Sequence, residues 1–253
     1  MPIFRERFRR MPPGLRRRAA WTRADIWIKK GKIVSDKTVF AYEKEMYEHS
    51  TYQLGPRTSH SIRTDAKHLL FTLSRYKFCA KMLEGKQRVL EVGCGDAIGA
   101  PIMLQSVGSL YAVDIEPLVI EQNKARNEFG SRLSFACCDF TREHPQEVFD
   151  AAYCLDVIEH IEPEKEGLFL SNLAACVAED GVCIIGTPNI AASIHASEIS
   201  RNGHINLKSG KTLRDSLAPY FKNIFIFSMN DEVVHTGYTP MAHFLLALCA
   251  GRR

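Results

Sequence analysis

The stretch Arg88-Val89-Leu90-Glu91-Val92-Gly93-Cys94-Gly95-Asp96-Ala97-Ile98-Gly99 decides how the rest of the chain is read. Its first five residues form a short apolar run broken by Glu91, the pattern of a buried strand. The glycines that follow let the backbone turn tightly from strand to helix and approach a ligand with no Cβ in the way. Working outward, further apolar runs at 109–113, 133–137, 149–154 and 182–186 alternate with helical segments near 98–106, 117–128 and 165–178. That alternation predicts an α/β domain built on a doubly wound, mainly parallel sheet covered on both faces.

Upstream, residues 65–83 read as an amphipathic helix leading into the first strand, with Leu69, Leu70, Leu73, Tyr76, Phe78 and Met82 for one face. Downstream, 212–221 reads as a helix, 223–227 as a strand and 242–249 as a last strand, with a loop over 228–240 that carries Asp231, Glu232 and His235. The expected organisation is a basic leader over 1–32, a helical cap or lid segment over 33–84, and the α/β domain over 85–253.

Length and composition fit this plan. The 253 residues are 45% hydrophobic and 25% charged, enough apolar material for a full core, which excludes a disordered chain, a collagen and a disulfide miniprotein. The net charge of +4 is unevenly placed: residues 1–32 hold eleven basic residues against Glu6 and Asp25, a balance of +9, which leaves −5 for the rest. An acidic body argues against a nucleic-acid face on the globular part. The leader, with Trp21 and Trp27, reads either as a solvated, flexible extension or as a surface-binding arm for anionic lipid or nucleic acid. The nearly apolar stretch from Met241 to Ala250 is interrupted by His243 and is far short of the ~20 residues that span a bilayer. The eight cysteines contain no C-x-x-C pair and read as reduced thiols of a cytoplasmic protein.

A glycine-rich turn after a strand also serves dinucleotide-binding folds, where it cradles a pyrophosphate. Glu91 argues against that ligand, because a carboxylate so close would repel a phosphate and attract a cation such as an ammonium group. The second strand ends in Val113-Asp114, where a carboxylate can accept both hydrogen bonds of a ribose diol. The third ends in Cys138-Asp139-Phe140, where Asp139 can accept from an exocyclic amine and Phe140 can flank a purine. An amino-acid cradle, a ribose clamp and an adenine reader are the parts of a site for S-adenosylmethionine.

At these residues the chain resembles the class I S-adenosylmethionine-dependent methyltransferases, and more narrowly the group containing the ubiquinone-biosynthesis O-methyltransferases. The likeness runs over about residues 75–190 and is carried by 89–95, Val113-Asp114, Cys138-Asp139 and Leu155-Asp156-Val157-Ile158-Glu159-His160. It implies a Rossmann-like seven-stranded sheet, mostly parallel with an antiparallel last strand. It also implies that Gly93 and Gly95 lie against the methionyl part, that Asp114 holds the ribose and that Asp139 reads adenine; Glu91, Cys94, Ile115, Phe140 and Leu155 are further expected cofactor contacts. Arg75 and Tyr76 of the preceding helix are expected beside it. Many relatives have a third glycine where this chain has Ala97, and Gly99 is the candidate to replace its packing role.

On a helical turn, Asp156, Glu159 and His160 would share one face as i, i+3 and i+4. Carboxylates and an imidazole at a sheet edge can act as a general base or hold a divalent cation. The resemblance implies Mg²⁺ or a related ion held by Asp156, Glu159, His160 and His204, with His160, His204 and Glu159 as catalytic candidates; His235 is the expected substrate contact. The expected function is O-methylation of a hydroxyl on a small molecule or glycan-like metabolite. The rival readings are N-methylation, 2′-O-methylation of an RNA end, and a non-catalytic cofactor-binding regulatory subunit.

Overall fold

The computed structural model describes residues 43, 44, 46, 47 and 51–253. The expected leader over 1–32 lies outside the described residues. The chain divides into two compact units, 1–53 and 54–253. Of the first, Glu43, Lys44, Met46 and Tyr47 are described as helical. Residues 54–84, expected as part of a cap, belong to the same unit as the sheet.

The second unit opens with helices α1 (Pro56–Thr64) and α2 (Ala66–Met82). Asp65 ends the first and caps the second, its side chain accepting from the His68 amide at 3.3 Å. Strands β1 (Arg88–Val92), β2 (Ser109–Asp114), β3 (Leu133–Cys137) and β4 (Phe149–Leu155) follow, with α3 (Ala100–Met103) and α4 (Pro117–Ala125) between the first three. Then come α5 (Pro163–Ala175), β5 (Val177–Pro188), α6 (Glu198–Gly203), α7 (Gly210–Leu217), β6 (Phe221–Asn230), β7 (Val233–His235) and β8 (Phe244–Arg252).

Among the described residues the sheet has eight strands in the order β3-β2-β1-β4-β5-β8-β6-β7. The first five are parallel, and β8 inserts antiparallel between β5 and β6. This is the expected Rossmann-like sheet plus one short strand, β7, which folds back on the end of β6 where a loop was expected. Strand β5 begins at Val177, so the helix expected over 165–178 stops earlier: Val177 pairs with Phe149 and extends the sheet instead. The helix expected over 98–106 is a single turn, α3.

The central strands are nearly continuous in apolar residues because both their faces are covered. Tyr76, Cys79, Leu83, Met103, Leu110 and Tyr153 pack on one face, and Phe169, Leu173, Leu213, Phe221 and Ile185 on the other. Helix α2 buries Tyr76, Phe78 and Cys79, whereas Leu70 and Met82, assigned to its inner face from the sequence, are exposed. Neighbouring strands β1 and β4 send their chains to opposite sides of the sheet, so a crevice opens at their carboxyl ends, where open α/β sheets bind ligands.

Candidate active site

A cavity of about 670 Å³ occupies that crevice, within the range of small-molecule sites. One end is walled by the glycine loop Gly93–Asp96, by Tyr76 and by Arg57 and Thr58 of α1; the other by Asp156, His160, His204 and His243.

At the loop end, Gly93 and Gly95 adopt φ of 78° and 50°, the left-handed region that a strand-to-helix turn needs. A Cβ on Gly95 would meet nothing nearer than the Arg57 guanidinium at 3.8 Å, so the loop is open to a ligand there. Three groups brace it. Asp114 Oδ2 accepts from the Gly95 amide at 2.9 Å, the Asn123 side chain donates to the Gly95 carbonyl at 2.7 Å, and the Asp96 carboxylate reaches α1. Cys94 is buried at the cavity wall, and that burial raises its thiol pKa far above the usual range, so it is no nucleophile at neutral pH. Ala97 has φ of 59°, a strained value for a residue with a Cβ. Gly99 supplies the close packing: a Cβ there would land 2.1 Å from the Tyr76 ring.

At the far end, the Arg75 guanidinium holds both Asp156 carboxylate oxygens, at 2.8 and 2.6 Å, and lies 3.7 Å from the Phe244 ring centroid. Glu159 is fully buried; its Oε2 accepts from Thr187 at 2.9 Å and its Oε1 has no partner. Burial, and then the nearby Asp156 charge, push its pKa up. His160 Nδ1 lies 2.8 Å from the Gly203 carbonyl, which can only accept, so in the neutral ring the proton sits on Nδ1 and the lone pair on Nε2. The rings of His160 and His204 stand 5.0 Å apart, and burial followed by the His160 charge lowers the His204 pKa.

The methyltransferase domain family matches residues 61–220 of this chain. The chain belongs to that family. Ubiquinone biosynthesis O-methyltransferase, mitochondrial, of Schizosaccharomyces pombe is 26% identical over 137 residues, covering 53% of this chain and 48% of that protein. Nodulation protein S of Bradyrhizobium diazoefficiens is 28% identical over 124 residues, covering 46% of this chain and 58% of that protein. The chain therefore spans about half the length of the curated relatives it matches. Among solved structures, N-methyltransferase NodS from Bradyrhizobium japonicum in complex with S-adenosyl-L-homocysteine superposes with a TM-score of 0.55 at 17% identity, covering 85% of this chain and 99% of that one. The methyltransferase domain of bacterial CtHen1 superposes with a TM-score of 0.59 at 17% identity, covering 71% and 98%. These likenesses establish the fold.

In this methyltransferase domain the residues fit S-adenosylmethionine: a loop open above Gly95, a carboxylate at the end of β2, and an arginine of α1 over the cavity. Asp114 and Ile115 do not line the cavity; Asp114 ends β2 beside the glycine loop and Ile115 follows it, 63% exposed. Leu155 and Tyr76 line the cavity. Asp139 follows β3 with Oδ1 accepting from the Thr141 amide and hydroxyl at 2.9 and 2.7 Å, contacts that lower its pKa, and Oδ2 lies 3.2 Å from Arg142.

Four expectations are corrected. Glu91 is not in the wall; it is buried behind Tyr76 and beside Tyr153, where burial raises its pKa to about 7. Phe140 is only 3% exposed and packs edge-on against Phe169 in the core, so it flanks no ligand. Asp156 does not join Glu159, His160 and His204. Those three each offer a ligand atom within 4.8 Å of one another, while Asp156 leaves β4 at φ of 57° and turns to Arg75. His235 does not line the cavity: Nε2 lies 2.9 Å from Asn230 Oδ1, and Nδ1 accepts from the Gly237 amide at 2.9 Å.

The Glu159, His160 and His204 donor set still fits a first-row divalent ion, because one buried carboxylate oxygen lacks a partner and two imidazoles stand beside it. The cavity also contains residues that the sequence did not single out. His243 lines it; Nδ1 accepts from the Asp231 amide at 3.4 Å, and Nε2 is buried without a partner. Burial, then the Arg75 charge, lowers its pKa, so it is neutral at pH 7. Its only trace in the sequence is the break it makes in the apolar stretch from Met241 to Ala250. Arg57, Thr58 and Asp96 come together across 38 residues and leave no local pattern.

Proposed function

We propose that this chain transfers a methyl group from S-adenosylmethionine to a hydroxyl of a small molecule or glycan-like metabolite. The observation that carries this reading is one continuous cavity with a glycine loop at one end and a buried carboxylate with two imidazoles at the other. Bound at the loop, the cofactor supplies an electrophilic methyl on a sulfonium. Asp114 accepts from the ribose hydroxyls, and Arg57, which forms no ion pair among the described residues, faces the methionyl carboxylate. Tyr76 and Leu155 exclude water from the wall between the two ends.

At the acceptor end, the His160 Nε2 lone pair takes the proton of the reacting hydroxyl, and His204 stands beside it. Were a divalent cation held by Glu159, His160 and His204, it would occupy the Nε2 lone pair and would itself lower the hydroxyl's pKa, in place of His160 acting as the base. Positioning supplies on the order of 7–11 kcal/mol for such an in-line displacement, and a base adds roughly 10²- to 10⁴-fold.

A second reading, transfer to an amine, is favoured by the similarity to nodulation protein S and to a solved structure described as an N-methyltransferase. Incubation with methyl-labelled S-adenosylmethionine and fractionated cell extract, followed by mass spectrometry, separates them. A labelled methoxy product supports the first, a labelled N-methyl product replaces it with the second, and no labelled product in any fraction contradicts both. Adding a chelator to the productive fraction tests the ion: unchanged turnover assigns the trio to proton transfer alone.

A further inference from the structure

Helix α1 begins at Gly55-Pro56. Proline suits the first helical position, but Gly55 has no side chain to satisfy the free amides of the first turn. The missing cap comes from a distant residue. Asp96, which directly follows Gly95 in the glycine loop, accepts from the Thr58 amide at 2.7 Å through Oδ2 and from the Thr58 hydroxyl at 2.9 Å through Oδ1. Gly55 is present for this approach and not for its backbone angles, since its φ of −70° suits any residue. A Cβ there would lie 2.3 Å from Asp96 Cβ and 2.4 Å from Oδ2.

The consequence is a hydrogen-bonded series across the cofactor end of the cavity. Asp114 holds the Gly95 amide, Gly95 precedes Asp96, and Asp96 holds the start of α1, which presents Arg57, Thr58 and Ser61 to the cavity. We propose that Asp96 is a positioning residue that latches α1 over the cofactor, coupling the glycine loop to the arginine that faces the methionyl carboxylate. The inference rests on the cofactor reading above. A cofactor that orders the loop strengthens the latch, and the latch slows the cofactor's departure.

The test uses the full chain with S-adenosylhomocysteine as the probe, read by calorimetry and by hydrogen exchange of the α1 amides. In the wild type, the probe should slow exchange across residues 58–64. Gly55→Ala and Asp96→Ala should each weaken the probe's Kd by about tenfold, the scale of one lost cap, mainly through a faster off-rate, and abolish that slowing. Gly55 lies outside the cavity wall, and the three atoms that a Cβ there would meet first all belong to Asp96, so the substitution perturbs this contact. Asp96→Asn, which keeps one acceptor oxygen, should recover part of the affinity. Should a variant fail to fold, Thr58→Val removes the hydroxyl bond alone and should give a smaller loss in the same direction. Wild-type affinity in Gly55→Ala and Asp96→Ala, or α1 exchange in the wild type that ignores the probe, overturns the latch. Equal losses of Tm with and without the probe, at unchanged Kd, reduce Asp96 to a structural cap and also overturn it. No binding to the wild type strikes the cofactor reading itself.

Discussion

The Asp114 carboxylate accepts the Gly95 amide at 2.9 Å, so the acid at the end of β2 and the second glycine of the loop after β1 form one unit. Its other oxygen, Oδ1, accepts the Glu116 amide at 3.1 Å and fixes the turn into α4. Both contacts aim the carboxylate before a ligand arrives. Asp114→Ala removes a charged acceptor and loosens the loop, and hydrogen bonds to charged groups contribute ~1.5–3 kcal/mol. S-adenosylhomocysteine affinity should fall by about 10- to 100-fold, measured by calorimetry, and Tm should drop by several degrees as the two amide contacts are lost.

Burial of Glu91 sets the sign of a pH dependence in the fold's stability. Burial raises its folded pKa to about 7 against 4.5 for the ordinary group, so between those values the folded chain keeps a proton that the unfolded chain has released. Its contribution is therefore complete below about 4.5 and is lost as pH rises through 7. The difference corresponds to about 3 kcal/mol. Glu91→Gln should flatten this part of the profile and make the variant more stable than the wild type at pH 8, as read by denaturant unfolding at a series of pH values.

Arg75 is 7% exposed and Asp156 33%, so their ion pair is only partly screened. Arg75→Met leaves the carboxylate without its cation and should cost about 2 kcal/mol, less than the ~3–5 kcal/mol for a fully buried pair. Asp156→Asn in the same background should recover part of that loss. A double-mutant cycle with no coupling contradicts the pairing.

His160→Ala and His204→Ala should each lower kcat for the acceptor found by labelling, by roughly 10²- to 10⁴-fold, while the Kd for S-adenosylhomocysteine stays unchanged. His235→Ala should do neither. Its ring nitrogens are used within the β6–β7 hairpin, so the expected result is a lower Tm with normal kinetics.

Gly99→Ala would drive a methyl into the Tyr76 ring and should cost about 1–3 kcal/mol as overpacking. Tyr76 forms part of the cavity wall, so the cofactor should also bind more weakly. Stability and affinity at wild-type levels would show that the ring has room to move.

The sheet was legible because strands buried on both faces write their apolar runs directly into the sequence, and the glycine loop marks where the first of them ends. The acceptor end was only half legible. A spacing of i, i+3 and i+4 gathers side chains only within a helix, and here the helical turn starts at Ile158, after Asp156 has already turned away at φ of 57°. Phe140 illustrates a different limit, since an aromatic residue just past a strand suits a ligand pocket and a core equally well. Short strand β7 was missed because three residues between two turns carry too little pattern, and His235 was misassigned with it. Arg57, Asp96 and His243 act through contacts between distant elements, which no window along the chain displays.

Calorimetric titration of the full chain with S-adenosylhomocysteine, alongside NAD, tests the central claim most directly. The account predicts saturable heat with one S-adenosylhomocysteine per chain, weakened in Asp114→Ala, and no saturable heat with NAD. Saturable NAD binding with no response to S-adenosylhomocysteine would contradict it.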